Sequence, residues 1–154
     1  MYSIGVIGHG FVGTSIVHGF SLHTNVKIYD KDETKSTHTL EEVVTESDFV
    51  FVGVPTPMTN VLGGEIDLSI MDSVMSDISN CYKGRDTVFI IKSTVVPGTV
   101  EKYESLYPEL KIAFNPEFLT ERSARLDFIN AARIVIGGTE EVCQKVEDLY
   151  RVRF

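Results

Sequence analysis

The sequence predicts a single α/β domain built on a doubly wound, mostly parallel β-sheet. Short apolar runs alternate along the chain with segments whose apolar residues recur every three or four positions. The length of 154 residues is that of one domain, and 43% hydrophobic with 23% charged residues is typical of a globular protein. Strands that alternate with helices imply right-handed βαβ units and a sheet covered on both faces.

Six strands are predicted from β-branched and aromatic runs. They are residues 2–7, 25–30, 48–54, 87–91, 111–114 and 133–136, the last closed by two glycines. The third is almost wholly apolar, as expected of a strand buried on both faces of a parallel sheet.

Helices are predicted between the strands. In chain order, the helical segments are marked by Val12, Ile16 and Phe20; by residues 39–46; by Leu68, Met71, Val74, Met75 and Ile78; by residues 98–107; and by Val142 with Val146. Asp67 and Thr139 are expected to cap the third and the last of these helices. Residues 115–130 give no clear pattern.

Charge and cysteine content exclude several classes of protein. The net charge of −8 and a pI of about 4.9 disfavour a general nucleic-acid binder. No apolar run is long enough to cross a bilayer, and no basic residue precedes the first apolar run as in a secretory signal. Two cysteines without a CxxC pair favour a reducing, cytoplasmic setting, and the four histidines lack the spacing of a metal site.

A glycine-rich turn directly follows the first predicted strand. It is the GxGxxG run Gly8-His9-Gly10-Phe11-Val12-Gly13. In a dinucleotide-binding (Rossmann) turn the first glycine permits the bend, the second lets the pyrophosphate approach the backbone, and the third lets the helix pack closely. The helix amino terminus then faces the phosphates.

An acidic residue stands where such a turn requires one. Asp30 lies at the end of the second predicted strand, 22 residues after Gly8, close to the roughly 20 expected for the acid that binds the adenosine ribose. A carboxylate there repels a 2′-phosphate, which favours NAD over NADP, although Lys31 and Lys35 lie nearby. An ordinary turn followed by a solvated Asp is the alternative.

Three more segments follow predicted strands and should reach the same edge of the sheet. They are Val54-Pro55-Thr56-Pro57, Ser93-Thr94-Val95 and Asn115-Pro116-Glu117. Ser, Thr and Pro are also common turn residues, so an equally good interpretation is that Thr56, Ser93 and Thr94 only stabilise turns. Glu117 and Glu121 would share a face if their segment were helical, as base and positioner or as a solvated acidic face.

These segments together resemble the UDP-glucose/GDP-mannose dehydrogenase family. The resemblance covers the amino-terminal NAD-binding domain of that family and is closest to UDP-glucose 6-dehydrogenases. It rests, in order, on the glycine turn, Val54-Pro55-Thr56-Pro57, Lys92-Ser93-Thr94-Val95, Asn115-Pro116-Glu117-Phe118-Leu119-Thr120-Glu121 and Arg133-Ile134-Val135-Ile136-Gly137-Gly138. The NPEFL-x-E string is the most specific of them.

The resemblance implies a role for each matching position. The family oxidises a sugar C6 alcohol to the acid by two hydride transfers to NAD. Glu117 and Thr94 would be catalytic, through acid–base chemistry and through ordering of a water molecule. The NAD-binding residues would be Gly8, His9, Gly10, Phe11, Val12, Gly13, Asp30, Lys35, Val54, Pro55, Thr56, Ser93, Thr94, Val95 and Glu121. The UDP-sugar would contact Glu117, Phe118, Leu119 and Glu121.

The chain also departs from the family. Residues 1–154 correspond to the NAD-binding domain, so the helical and carboxyl-terminal domains, with the cysteine nucleophile, the lysine, the asparagine and most of the homodimer surface, are expected to be absent. Arg122 replaces the usual Gly, and residues 130–133 lack the usual Pro and acid. We therefore expect weak NAD binding without turnover. The alternatives are a non-catalytic NAD-binding or regulatory module and, less well supported, a 3-hydroxyacid or prephenate type of dehydrogenase.

Overall fold

The computed structural model describes residues 1–60, 62–120 and 122–153, and these residues form one sheet of five parallel strands. The strands are β1 (Ser3–Ile7), β2 (Asn25–Tyr29), β3 (Phe49–Val52), β4 (Val88–Ile91) and β5 (Lys111–Phe114). Their order across the sheet is β2-β1-β3-β4-β5. The chain leaves β1 for β2 on one side and returns to β3 on the other, so the strand order reverses between β1 and β3. Ligands of doubly wound sheets bind at the carboxyl ends of the strands beside this point.

In the described residues, four helices and one short 3-10 turn lie between the strands, and two further helices follow β5. The helices are α1 (Phe11–Phe20), α2 (Leu40–Glu46), α3 (Ser69–Cys81), α4 (Thr99–Leu106), α5 (Ala124–Ile129) and α6 (Glu140–Arg151), and the 3-10 turn is Glu33–Lys35. None of the helices in the described ranges is long and apolar enough to span a membrane.

Helices cover both faces of the sheet, as predicted, because the strands are apolar on both sides. In β3, Phe49 and Phe51 pack with α1, α5 and α6, whereas Val50 and Val52 pack with α2, α3 and α4. On the first face, the Phe20 ring lies 5.5 Å from the Tyr150 ring and 6.0 Å from the Phe128 ring, centroid to centroid. This aromatic cluster fixes α1, α5 and α6 relative to one another.

Of the two predicted helix caps, one is confirmed and one is not. Thr139 caps α6 as predicted, with its hydroxyl accepting the Val142 N–H. The prediction for Asp67 is wrong by one residue: Leu68 is the N-cap of α3, and the Asp67 carboxylate accepts the N–H of Ser69 at 2.9 Å.

The predicted sixth strand at residues 133–136 is wrong. Gly137 instead forms a single antiparallel bridge with Phe114, through N–H···O bonds of 2.7 and 2.8 Å. The Val135 carbonyl accepts the side-chain amide of Asn115 at 2.6 Å, and Ile134 and Val135 are largely exposed. The Asn115 side chain therefore donates the hydrogen bond to Val135 that the backbone of a neighbouring strand would otherwise donate.

Candidate functional site

A cleft of about 1120 Å³ opens at the carboxyl ends of β1, β3 and β4, where the strand order reverses. It brings together most of the predicted site residues. These are Gly8, Gly10, Phe11, Val12, Asp30, Lys35, Val54, Pro55, Thr56, Ser93, Thr94, Glu117 and Leu119. Segments that are far apart in sequence thus meet at one edge of the sheet.

Among the described residues, four predicted site residues do not line this cleft. His9 and Phe118 line neighbouring cavities, and Gly13 lies beneath the turn. The side chain of Val95 packs against the core on the α3 side of the sheet. Glu121 lies outside the described residues. Since residues 115–120 form no helix, a shared helical face for Glu117 and Glu121 has no basis in the described part of the segment.

Each glycine of the turn has a different physical reason to lack a side chain. Gly8 has φ of +91°, and a Cβ atom there would lie 2.5 Å from the Gly53 carbonyl oxygen. A Cβ atom on Gly13 would lie 2.0 Å from the Gly8 oxygen. A Cβ atom on Gly10 would meet nothing within 4 Å, so it would project into open space. Only Gly10 therefore keeps space clear for something other than the protein itself.

The first turn of α1 is free to bind an anion. Gly10 is the N-cap, and no side chain caps the helix. The leading N–H groups of such a helix lack partners within the helix and carry its positive partial charge. Together with the space above Gly10, this arrangement fits a pyrophosphate group.

Asp30 links the glycine turn to the end of β2. One oxygen of its carboxylate accepts the His9 N–H at 2.7 Å, and the other accepts the Asp32 N–H at 2.8 Å. β2 ends at Tyr29, so Asp30 belongs to the loop, where its own N–H donates to the Ser36 hydroxyl at 2.9 Å. Each carboxylate oxygen can accept a second hydrogen bond, as a ribose diol would require.

Hydroxyl groups tie the two rim loops together. The Thr56 hydroxyl donates to the Thr94 carbonyl at 2.6 Å, and the Ser93 hydroxyl donates to the Val54 carbonyl at 2.6 Å. Both bonds join the loop after β3 to the loop after β4. The hydroxyl groups of Thr56 and Ser93 therefore stabilise the loops, and the same bonds fix the wall of the cleft.

A buried ion pair lies at the inner end of the cleft. The Lys92 ammonium lies 2.7 Å from Oε2 of Glu117 and donates to Oδ1 of Asn115 at 2.9 Å. The same Asn115 oxygen accepts the Tyr150 hydroxyl at 2.6 Å. The Lys92 side chain is 2% exposed and that of Glu117 is 13% exposed. Lys92 therefore holds the Glu117 carboxylate, and Asn115, which accepts hydrogen bonds from both Lys92 and Tyr150, holds Lys92 in place.

Burial dominates the electrostatics of this network. Burial lowers the pKa of Lys92, and the charge and hydrogen bonding of Glu117 oppose that shift. Burial also raises the pKa of Tyr150, and the negative charge of Glu117 raises it further. Tyr150 therefore stays a neutral hydrogen-bond donor.

A second cavity of about 380 Å³ meets the cleft at this ion pair. Both cavities are lined by Lys92, Glu117 and Leu119. The outer wall of the second cavity includes Phe118, whose ring lies 5.8 Å from the Arg133 guanidinium. A group bound in either cavity can reach Glu117.

The sequence predicts no role for Lys92, Asn115 or Tyr150. The sequence does single out Lys92, because a lysine is unusual directly after a buried apolar strand such as β4. It does not single out Tyr150, which lies on the buried side of α6 like the apolar residues around it. The described residues contain no group of metal-ligating side chains.

The fold and the cleft define a dinucleotide-binding domain of the doubly wound class. Residues 22–153 match the model of the UDP-glucose/GDP-mannose dehydrogenase family, NAD binding domain. The chain therefore belongs to this family and corresponds to its NAD-binding domain.

Individual relatives agree with this assignment. The chain is 34% identical to UDP-glucose 6-dehydrogenase YwqF of Bacillus subtilis, over 72% of this chain and 26% of that protein. It is 29% identical to UDP-glucose 6-dehydrogenase AglM of Haloferax volcanii, over 90% of this chain and 34% of that protein. A UDP-glucose dehydrogenase structure from Pyrobaculum islandicum superposes with a TM-score of 0.86 and 28% identity, over 100% of this chain and 45% of that one. The chain thus spans less than half the length of these relatives.

Proposed function

We propose that this chain is the cofactor-binding part of an NAD-dependent nucleotide-sugar dehydrogenase of the UDP-glucose 6-dehydrogenase type. The observation that carries the proposal is the position of Glu117, whose carboxylate lies where the cofactor cleft meets the second cavity. A hydride acceptor and an alcohol held in these two spaces would meet beside an acid–base group.

The residues of the cleft suit NAD. Gly10 leaves room for the pyrophosphate, the first turn of α1 supplies N–H donors, and Asp30 retains acceptor capacity for the ribose hydroxyls. His9 and Gly13 belong to the turn, and Lys35 lines the cleft beside it. The loops containing Val54, Pro55, Thr56, Ser93, Thr94 and Val95 would form the nicotinamide side. The cofactor supplies the hydride acceptor.

Glu117 is the proposed acid–base residue. Oxidation of an alcohol to an aldehyde transfers a hydride to the acceptor and a proton to a base, and oxidation to the acid requires a second hydride transfer and a water molecule. Thr94, at the cleft, would help order that water. Lys92 keeps the Glu117 carboxylate in place. Glu117 with Phe118, Leu119 and Glu121 would contact the sugar nucleotide from the second cavity, and the nucleophile would come from the remainder of the enzyme.

The wider setting follows from the family. The proposed substrate is a UDP-sugar, the enzyme would act as a cytoplasmic homodimer, and neither nucleic acid nor a membrane is a proposed partner. Residues 1–154 alone would bind NAD without oxidising the sugar, since the helical and carboxyl-terminal domains would be needed to complete the site.

Calorimetric titration with NAD, NADP and UDP-glucose tests the proposal on this chain. We expect NAD to bind, NADP to bind more weakly and UDP-glucose to bind little. Asp30→Ala should weaken NAD binding about tenfold or more, because hydrogen bonds to a charged group are lost. Asp148→Ala removes an exposed carboxylate of α6 and is the charge-matched control.

Failure to bind any of these nucleotides would overturn the proposal. Equal affinities for NAD and NADP would overturn the proposed role of Asp30. NAD binding by this chain together with absence of UDP-glucose oxidation by a complete enzyme that contains it would instead support the non-catalytic module.

A further inference from the structure

A third cavity, of about 610 Å³, lies beside the glycine turn. It shares Gly10, Phe11 and Lys35 with the cofactor cleft, so these residues form a wall common to both spaces. Its other side is formed by the residues that precede and begin α5, among them Arg122 and Arg125.

The lining of this cavity is cationic. Lys35, Arg122 and Arg125 line it, and no Asp or Glu does so among the residues that the structure describes. Neither arginine has a carboxylate partner in the described ranges, whereas other cations of the chain, such as Lys102 and Arg151, form ion pairs. Two unpaired arginines beside a lysine are conspicuous in a chain of net charge −8.

The segment that carries the arginines is held in place. The Asp127 carboxylate accepts the Thr120 N–H at 2.9 Å and the Ser123 hydroxyl at 2.9 Å. The Phe128 ring packs so tightly on α1 that a Cβ atom on Gly19 would lie 2.3 Å from it. α5 is therefore docked on the helix that begins at the glycine turn.

Among the described residues, Lys35 has an ion pair with Asp32 at 3.7 Å, whereas neither Arg122 nor Arg125 has a carboxylate partner. Arg125 lies in the first turn of α5, where a cation is disfavoured by the helix dipole. Guanidinium groups bind phosphate oxygens by paired, charge-assisted hydrogen bonds. A phosphate group would therefore suit the lining of this cavity.

We propose that Arg122 and Arg125, together with Lys35, form an anion subsite that binds the diphosphate of the dinucleotide from the side of α5. The inference rests on the proposed function, because it requires the dinucleotide to occupy the adjoining cleft. It gives a role to Arg122, which replaces the glycine usual in the family. Affinity for the cofactor in this chain then depends on cations outside the glycine turn.

The test is calorimetric titration of Arg122→Ala and Arg125→Ala with NAD, with inorganic pyrophosphate and with adenosine. Each substitution should weaken NAD about five- to tenfold, weaken pyrophosphate by a similar factor, leave adenosine unchanged and reduce the salt dependence of NAD binding. Arg133→Ala is the matched control, since Arg133 is also an exposed arginine without a described ion pair but lines the second cavity.

The outcomes separate the two proposals. Wild-type affinity for NAD in both arginine variants would overturn the subsite and leave the proposed function intact. An equal loss in Arg133→Ala would also overturn it, because the effect would then be one of net charge. Absence of NAD binding by the unaltered chain would overturn the proposed function and the subsite with it. Thermal unfolding of each variant checks that the fold is retained.

Discussion

The ammonium group of Lys92 lies 2.7 Å from the carboxylate of Glu117, in a position where both side chains are largely withdrawn from water. β4 delivers the lysine and the loop after β5 delivers the glutamate, and these neighbouring parallel strands end at the same edge. The contact joins the proposed acid–base group to a network that reaches α6 through Asn115 and Tyr150.

Lys92→Met should destabilise the domain by about 3 kcal/mol, because it leaves a buried carboxylate without its cation. Urea unfolding measures this effect. The double variant Lys92→Met/Glu117→Gln should recover part of the lost stability. Equal losses in the single and double variants would mean that Lys92 acts through packing alone.

Gly10→Ala and Gly13→Ala should have opposite consequences. The Cβ atom at Gly10 meets only open space, so the fold should be retained while NAD affinity falls at least about tenfold. The Cβ atom at Gly13 collides with the Gly8 carbonyl, so stability should fall by about 2 kcal/mol or more. Thermal unfolding and NAD titration separate the two effects. Unchanged NAD affinity in Gly10→Ala would place the pyrophosphate elsewhere.

Tyr150→Phe should cost about 1 kcal/mol of unfolding free energy, because the buried hydroxyl donates to Asn115. Asn115 still accepts a hydrogen bond from Lys92, so the network should persist in part. Urea unfolding measures the change. Tyr107→Phe, at a tyrosine that packs on the other face of the sheet, is the control and should be nearly neutral. An equal loss of unfolding free energy in Tyr107→Phe would show that the hydrogen bond of the Tyr150 hydroxyl does not account for the effect.

Acid stability should depend on Asp86, far from the cleft. Hydrogen bonds from Lys111 and then Lys145 lower the pKa of Asp86 to about 2. A carboxyl group whose pKa is lowered by folding stabilises the folded state above its unfolded pKa of about 3.9, and loses that contribution as the pH falls through its folded value.

Asp86→Asn should therefore show a smaller fall in urea midpoint between pH 4 and pH 2 than the unaltered chain does. The difference should shrink at high salt, because these groups are exposed. Parallel pH profiles for the two proteins would show that the ion pairs of Asp86 contribute nothing.

The sequence predicts an element well when the residues of that element determine its structure without contacts from distant parts of the chain. Phe49 to Val52 is apolar on both faces and can only be an internal strand. The run from Ile134 to Ile136 is also apolar, but it is not a strand of the sheet. The Val135 carbonyl accepts a hydrogen bond from the Asn115 side chain instead of from a neighbouring strand. No local pattern reports that contact, because it depends on a side chain 20 residues away.

The candidate site likewise contains residues that one segment of sequence predicts and residues that only the fold brings together. Gly10 and Asp30 are predictable because a single βαβ unit places them, and their spacing is read from one segment. Lys92 and Glu117 come together only through the order of the strands, so their contact could not be derived from either segment alone. The position of Arg122 beside Gly10 depends likewise on the docking of α5 against α1.

The most direct test of the central claim is a two-dimensional amide NMR titration of this chain with NAD. We expect the largest shifts on Gly10, Phe11 and Val12 at the start of α1, and on Asp30, the residue proposed to bind the ribose. Shifts confined to the cavity at the amino ends of the strands, beside Tyr2 and Arg85, would contradict this expectation, and so would a spectrum that NAD leaves unchanged.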